Sequence, residues 1–422
     1  MHALLARAPP MNLTRYVRSL LATGCHCLRR RPEREAPAEI RRILVLGYAA
    51  IGDLIFFLPV LEALRRHYPG AKIVFLANPY ATTRELVPAM GLADEVWLWE
   101  WEGPNAGDPA DILRRIRGAG FDLAVLTLSS PAHYFQAALR DIPLRAGHCC
   151  AFDWPRPLWA RPGAAWRLLK RGFITGEFAR RALLNRRAWI ERGSEHAVRR
   201  NIRLLDALGL PRPASDRPAL PRPQPCRSFA EEALKGLASD KKKLAVHLGP
   251  PSSQYHKIWP AERFAELCAR LARDMPAEIV LVGTGEEAGK IEQLRAACPG
   301  LRSVVGRASL LETFAVLGAC DFFIGNDTGL AKAAMALGVP TITLFGPSDI
   351  IEIGAVWEAE KHLEIRTGIP CSPCARLGMA KESADGLSYL SCGHHDCLLR
   401  LDVDFAYAAI RRKYPGAFGG RA

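Results

Sequence analysis

The sequence lacks any long uncharged apolar run, and its short apolar stretches near the N-terminus are interrupted by arginine. A helix that spans a bilayer needs about 18 or more consecutive apolar residues, and a secretory leader needs an uninterrupted apolar segment. We therefore expect neither a membrane span nor a signal peptide. The expected location is cytoplasmic, with peripheral contact to the inner face of the cytoplasmic membrane as the most that these features allow.

Acidic residues are scarce beside basic ones, since 43 Asp and Glu against 57 Lys and Arg give a formal net charge of +14. The excess is local: residues 154–212 hold fourteen Lys and Arg but four Asp and Glu, and the first 42 residues hold nine Arg but three Glu. Such patches favour an anionic partner, whether nucleic acid, acidic phospholipid or phosphorylated glycolipid. No helix-turn-helix, RNA-recognition or zinc-finger motif is present, so no nucleic-acid partner is expected.

Most of the twelve cysteines are isolated in the sequence, which in a reducing compartment favours buried thiols over disulfides. The exception is Cys371-x2-Cys374 followed by Cys392-x4-Cys397, with His394 and His395 between the last two cysteines. This spacing approximates a zinc ribbon, and structural zinc and reduced thiols both remain open. No Asp-x-Asp motif lies near either glycine-rich loop, so we expect chemistry without a metal or cofactor.

Apolar runs alternate with amphipathic segments in two series, which is typical of parallel α/β sheets. Strands are predicted at 42–47, 72–77, 95–99, 123–128, 243–248, 278–282, 322–325 and 341–345. Helices are predicted at 84–90, 112–118, 196–209, 261–273 and 310–318, and another near 53–68 that Pro59 should kink or restart. Residues 151–195 follow no clean period.

The chain is predicted to divide into four parts. Residues 1–41 form a basic arm, 42–210 one Rossmann-like domain, 211–226 a proline-rich linker, and 227–422 a second Rossmann-like domain. The predicted fold class is therefore α/β, with two Rossmann-like domains facing across a cleft. Ligands of such folds bind at the carboxyl ends of the strands, which here would line the cleft.

The stretch from Phe322 to Asp349 organises the second half, because it reads as strand, small-residue turn, helix and strand. Asp327 or Thr328 would cap the helix at its start, and Gly338 would end it. A helix N-terminus after such a turn suits a phosphate group, so a diphosphate ligand is one interpretation. An ordinary βαβ unit whose Asp and Thr only cap the helix remains the other.

Three motifs together resemble the lipopolysaccharide heptosyltransferase family: ILVLGYAAIGDLIFFLP (43–59), HLGPPSSQYHKIWP (247–260) and GNDTGLAKAAMALGVPTITLFGPSD (325–349). The resemblance covers roughly residues 42–412. It implies the GT-B fold and inverting transfer of a sugar from a nucleotide diphosphate, ADP-heptose in the best-known members, to an anionic lipopolysaccharide-type glycolipid at the inner membrane surface.

The resemblance also assigns residues. Asp53 matches the presumed catalytic base, although an Asp that merely caps a helix is the alternative, and Lys257 matches the lysine that contacts donor phosphate. Donor binding further falls on Gly283, Glu286 or Glu287 in the nucleoside turn and on Asp327, Thr328, Gly329 and Leu330 in the diphosphate loop. The family pattern has His where this sequence has Lys332, and a lysine can still meet a phosphate as a point charge.

The acceptor is expected on the first domain, near the basic segment 154–192, where four tryptophans are interleaved with Arg and Lys. Candidate contacts are Arg167, Lys170 and Arg171, with Arg180 and Arg181 beyond them; aromatic packing beside a solvated charged face is the alternative. Two other activities stay open from sequence alone. One is a sugar-nucleotide epimerase of the same fold, and the other is a homologue that binds a sugar nucleotide without transferring it.

Overall fold

The structure is a computed structural model that describes residues 37–47, 50–100, 108–127, 135, 138–150, 180–191, 193–249, 256–284, 288–374 and 392–418. The first six strands are β1 (Arg42–Leu46), β2 (Lys72–Ala77), β3 (Glu95–Leu98), β4 (Leu123–Leu126), β5 (Leu144–Cys150) and β6 (Arg186–Ile190). They form one sheet in the order β3-β2-β1-β4-β5-β6. All neighbouring strands are parallel, as the alternation of strands and helices predicts.

The helices of this first domain include α1 (Ile51–His67), α2 (Val87–Met90), α3 (Pro109–Gly118) and α4 (Ala197–Leu208). Pro59 lies within α1, which continues to His67 without restarting. That part of the Pro59 prediction is wrong. The single helix predicted at 84–90 is also wrong in detail, because a π-helix (Thr82–Leu86) precedes α2. The π turn directs Glu85 to the second domain, where its Oε2 accepts hydrogen bonds from the N–H groups of Leu310 and Leu311.

The second sheet repeats the topology of the first. Its strands are β7 (Lys242–His247), β8 (Ala277–Leu281), β9 (Arg302–Ser303), β10 (Phe322–Asn326), β11 (Thr341–Leu344) and β12 (Leu363–Ile365), in the order β12-β11-β10-β7-β8-β9. Its helices include α5 (Gln224–Leu234), α6 (Ala261–Asp274), α7 (Ala288–Ala297), α8 (Leu310–Gly318), α9 (Gly329–Ala336), α10 (Ile350–Ile353), α11 (Asp396–Leu399) and α12 (Val403–Lys413). Each sheet therefore has the strand order of a doubly wound dinucleotide-binding fold.

Strands β5, β6, β9 and β12 and helices α5, α10, α11 and α12 were not predicted. β6 lies at the edge of the sheet and begins with two exposed arginines. The alternation of buried and exposed residues that remains is therefore too short to be recognised in the sequence. β9 has two residues. β12 has three, of which only Ile365 is buried.

The two domains share apolar packing. One hydrophobic cluster joins Phe56 and Phe57 of α1 to Leu330 and Met335 of α9, and the two helices pack against each other. The proline-rich segment is attached to the second domain, since Arg217 Nε donates to the carbonyl oxygen of Ala336 at 2.9 Å. The predicted domain boundaries themselves stay predictions. No described helix is both long and apolar enough to cross a membrane.

Candidate active site

Helix α9 begins at the carboxyl end of β10 and opens the site. Thr328 is its N-cap residue, as predicted, but the side chain makes no capping bond. The hydroxyl oxygen instead lies 3.1 Å from Nδ1 of His247, at the end of β7. The first N–H groups of a helix have no partner within it, and the dipole is positive at that end. This N-terminus can therefore bind an anion such as a phosphate.

Asp327, the residue before the N-cap, is held between two lysines. Its Oδ1 lies 2.7 Å from Nζ of Lys332, and its Oδ2 lies 3.0 Å from Nζ of Lys257. The carboxylate is buried, with 3% of its side chain exposed. Burial alone would raise its pKa, but the charges of Lys257 and Lys332 bring the pKa of Asp327 well below its ordinary value. The group is therefore an anion surrounded by a net positive charge.

Asn326 positions the loop that carries Lys257, a role that the sequence motifs did not reveal. Its side-chain oxygen accepts from the backbone N–H of Trp259 at 3.0 Å, and its Nδ2 donates to the Leu248 carbonyl at 3.2 Å. The Trp259 ring is fully buried, and its Nε1 donates to the carbonyl of Leu401 at 2.8 Å. These bonds fix Trp259 relative to β10, and so they hold the ammonium of Lys257, two residues earlier, beside Asp327.

Asp53 projects from the first turn of α1 on the other domain. The N-cap of this helix is Ala50, so the alternative in which Asp53 is the capping residue is wrong. Partial burial raises the pKa of Asp53; the charges of Arg200 and Lys257 offset this in part, and Asp327 adds to it. Since Lys257 and Asp327 belong to the second domain, Asp53 faces the diphosphate loop across the cleft.

The N-termini of α1 and α9 approach each other closely at two glycines. A Cβ added to Gly329 would lie 2.5 Å from the Ile51 Cβ and 3.2 Å from the Gly52 nitrogen. A Cβ on Gly52 would lie 3.3 Å from Cγ of Lys332. A Cβ atom essentially never lies this close to an atom to which it is not bonded, so this contact requires a glycine at position 329. The two glycines thus bring Asp53 and the anion-binding helix end into one site.

The predicted nucleoside turn is described only in part. Gly283 follows β8, is buried, and has a φ of 149°, a conformation that other residues rarely adopt. Glu286 and Glu287 lie outside the described residues. The role of this turn in binding a nucleoside stays a prediction.

The predicted acceptor contacts Arg167, Lys170 and Arg171 also lie outside the described residues. Arg180 is described and does not fit that role, because it is buried and its Nη2 donates to the Thr127 carbonyl at 2.7 Å. Arg181 lies with its guanidinium 5.3 Å from the ring centre of Trp189. The structure therefore assigns Arg180 to packing within the first domain, which corrects its inclusion in the exposed basic set.

Sequence reasoning missed two residues of α4 that belong to this region. Arg200 is buried, and its charge acts on Asp53. His196 caps α4: its Nδ1 accepts from Val198 N–H at 3.2 Å, so Nε2 is left to donate to the Gly354 carbonyl in the second domain at 3.1 Å. Burial and the charge of Lys332 lower the pKa of His196 to about 3, which keeps it neutral. In the sequence, both are polar residues on the apolar face of the helix predicted at 196–209, and that pattern could have identified them.

Within the described ranges, no group of three or more His, Cys, Asp or Glu side chains is arranged to hold a metal ion. Cys371, Cys374 and Cys392 nevertheless lie close enough to Cys397 to act on its thiol. Burial and these neighbours raise the pKa of Cys397 to about 12, which favours the protonated thiol. Structural zinc and reduced thiols stay the two interpretations of this cluster.

The parts of the site are suited to one kind of chemistry. A carboxylate with a raised pKa can accept a proton on one side of the cleft, while two lysines and a helix N-terminus can stabilise a departing anion on the other. Such a pairing fits the displacement of a phosphate-linked leaving group by a hydroxyl.

Comparison with known proteins agrees with this geometry. The model of a family described as "Glycosyltransferase family 9 (heptosyltransferase)" matches residues 164–383, just over half of the chain. The lipopolysaccharide heptosyltransferase 1 of Pseudomonas aeruginosa is 25% identical over 353 residues, which covers 79% of this chain and 86% of that protein. These matches span both domains.

Two solved structures share the fold. The Escherichia coli ADP-heptose lipopolysaccharide heptosyltransferase II superposes with a TM-score of 0.60 at 19% identity, covering 89% of this chain and 99% of its own. The E. coli heptosyltransferase WaaC with ADP-2-deoxy-2-fluoro heptose gives a TM-score of 0.52 at 20% identity, covering 77% of this chain and 93% of its own. The two-domain α/β fold predicted from the sequence is confirmed.

Proposed function

This chain belongs to glycosyltransferase family 9, the heptosyltransferases, and from that premise we propose that it transfers heptose from ADP-heptose to a lipopolysaccharide core acceptor. The chain is a glycosyltransferase, and its relatives are named for lipopolysaccharide. A related structure holds an ADP-heptose analogue, which supports ADP-heptose as the donor class. The observation that carries the proposal is the placement of Asp53 beside the Asp327 site at the meeting of α1 and α9.

In the proposed reaction Asp53 is the general base. It takes the proton of an acceptor hydroxyl, whose oxygen forms a bond to the anomeric carbon of the donor as the bond from that carbon to the phosphate oxygen breaks. ADP leaves with the electron pair. Because base and leaving group lie on opposite faces of the sugar, the anomeric configuration is inverted.

The developing charge on the diphosphate is proposed to be stabilised by protein groups. Lys257 has 20% of its side chain exposed and can reach a ligand in the cleft. The N–H groups at the start of α9, from Gly329 and Leu330, can donate to phosphate oxygens. These cations and dipoles suit a transfer that needs no metal ion, and Gly283 with Glu286 or Glu287 is proposed to hold the nucleoside.

The acceptor is proposed to be an anionic glycolipid met at the inner face of the cytoplasmic membrane. The local basic excess in residues 154–212 supports this, because phosphorylated lipid and acidic core sugars are polyanions. Arg167, Lys170 and Arg171 remain the proposed contacts, and the protein is proposed to be cytoplasmic and peripheral at that surface.

A thermal-shift screen of ADP, ADP-heptose, UDP and UDP-glucose tests the donor. A ligand that binds the native state raises the melting temperature by mass action, so ADP and ADP-heptose should raise it and the uridine compounds should not. A shift with UDP-sugars alone would overturn the choice of donor. A shift with ADP-heptose in a protein that never modifies an acceptor would favour a binding-only homologue.

A further inference from the structure

The two lysines on Asp327 differ in how they are held. The Lys332 side chain is 4% exposed, whereas that of Lys257 is 20% exposed. Each lysine contacts a different oxygen of the Asp327 carboxylate, so both lysines can bind it at the same time. The arrangement gives one buried anion two cations, of which Lys257 is partly exposed and Lys332 is buried.

A single lysine on a buried carboxylate would be poorly placed to bind a ligand. If it turned to an incoming diphosphate, the carboxylate would remain buried without a counter-charge, which typically costs several kcal/mol. That cost would be subtracted from the gain of binding the ligand. A second, permanent cation on the carboxylate removes this penalty.

Lys332 has the surroundings of a permanent counter-ion. Lys332 is the fourth residue of α9. Its Cγ would lie 3.3 Å from a Cβ placed on Gly52, and its ammonium lies 5.1 Å from the ring centre of Phe345. The close approach of the first domain leaves its aliphatic stem little room. Lys257, by contrast, lies on the segment that Asn326 holds through the N–H of Trp259, and its side chain is more exposed than that of Lys332.

We propose that Lys332 is a positioning residue that neutralises Asp327 permanently and so leaves Lys257 available to the donor diphosphate. Lys332 then acts through Asp327 and not as a direct ligand of phosphate, which accounts for a lysine where the family pattern has histidine. The ligand named here rests on the proposed function, whereas the pairing of Asp327 with two unequal lysines does not.

The test measures the reactivity of the Lys257 amine in the protein without ligand. Wild type, Lys332→Met, Lys332→Arg and Lys242→Met are treated briefly with acetic anhydride, and acetylation of Lys257 is followed by peptide mass spectrometry. In Lys332→Met, Asp327 has Lys257 as its one remaining lysine partner, so the Lys257 amine should stay in contact with the carboxylate and be labelled about tenfold more slowly. Lys332→Arg keeps the charge and should label like wild type.

Lys242→Met is the matched control. It removes a lysine that lies 3.2 Å from Asp321 at the amino end of β7, whereas the site lies at the carboxyl ends of β7 and β10, so it breaks a Lys–Asp pair away from the site. Lys257 labelling should not change in this variant. If Lys332→Met does not fold, Lys332→Gln, which keeps a hydrogen-bond donor but no charge, should slow labelling in the same direction.

Binding of ADP by calorimetry gives the second readout. Lys332→Met should weaken ADP about tenfold, because Lys257 can then turn to the diphosphate only by leaving Asp327 without a lysine partner, whereas Lys332→Arg should bind ADP like wild type. ADP affinity that is unchanged in folded Lys332→Met, or Lys257 labelling that is equal or faster in folded Lys332→Met or Lys332→Gln, would overturn the proposal. If wild type fails to bind ADP while Lys257 labelling still slows, the counter-ion role stands and the proposed donor falls.

Discussion

The two domains have the same strand order but contribute very different chemistry to the cleft. In the second domain, Asp327 is buried between two lysines, and the Thr328 hydroxyl lies beside His247, so several charged and polar groups surround the proposed anion site. In the first domain, the first turn of the helix that follows β1 offers one partly buried carboxylate, Asp53. The difference teaches that a common topology fixes where a site lies, while the loop after the strand decides what it does.

The largest expected effect comes from removing Asp53, the proposed general base of the first domain. Asp53→Asn should lower the transfer rate about 10²–10⁴-fold, because the general base is lost. Affinity for ADP should stay near wild type, since the second-domain anion site is intact. Turnover at the wild-type rate, measured with saturating donor and acceptor, would place the base elsewhere.

The pH dependence should separate Asp53 from an ordinary carboxylate. Its pKa is raised above 3.8, so the acid limb of the rate should lie at higher pH than an unperturbed aspartate would give. Because the folded protein then binds this proton more tightly than the unfolded chain, the stability contributed by Asp53 is greatest at low pH and is lost as pH rises through the folded pKa. At pH 8, Asp53→Asn should therefore melt no lower than wild type; a clear drop in melting temperature would contradict the raised pKa.

A smaller effect is expected from the second domain. Lys257→Ala should weaken ADP by about 1.5–3 kcal/mol, roughly ten- to a hundredfold, because a charge-assisted contact to the diphosphate is lost. The rate at saturating donor should fall less than in Asp53→Asn. Lys242→Ala, in the exposed pair with Asp321, is the control and should bind ADP normally. Calorimetry showing equal affinity in both variants would remove Lys257 from the donor site.

The junction between the domains can be tested with alanine at its glycines. Gly329→Ala places a carbon 2.5 Å from the Ile51 Cβ, and overpacking of this kind costs about 1–3 kcal/mol, so donor affinity and turnover should both fall about tenfold. Gly52→Ala meets the flexible stem of Lys332 at 3.3 Å and should lose less. Gly118→Ala, at the end of α3 with open space around it, should behave like wild type. An equal loss in all three would point to general instability.

The smallest effect is expected at the acceptor. Replacing Arg167, Lys170 and Arg171 together with Gln should raise the acceptor KM about tenfold at low salt, at about 0.5 kcal/mol for each charge removed, with donor affinity unchanged. The effect should shrink as salt rises. Replacing Arg114 and Arg117 of α3 is the control for net charge. A loss that is the same at low and high salt would indicate misfolding instead.

Much of the fold was predictable because strands buried on both faces read as continuous apolar runs. Lys72–Ala77 and Leu310–Gly318 have the predicted bounds, and the others differ by a few residues at most where they are found. β6 escaped because Arg186 and Arg187 open an exposed edge strand. The motif positions predicted which polar residues to examine, but not that Lys332 turns inward to Asp327, since a sequence gives no sign of which face a lysine covers in a tertiary contact.

Other parts of the site depend on contacts between residues far apart in the chain. Asn326 bonds Trp259 and Leu248, and His196 bonds Gly354 in the other domain. Neither pattern is local, so no periodicity or spacing reveals it. The resemblance led to Asp53 and Lys257, whereas the burial that raises the pKa of Asp53 follows only from the meeting of the two domains.

The most direct test of the account is the mass of a heptose-free lipopolysaccharide core acceptor after incubation with the protein and ADP-heptose in EDTA. The account predicts that the acceptor gains one heptose with wild type and that Asp53→Asn produces little of this product in the same time. No gain in EDTA but full gain after adding Mg²⁺ would contradict catalysis by Asp53 and the Asp327 site alone. No gain under either condition would contradict heptosyl transfer to this acceptor.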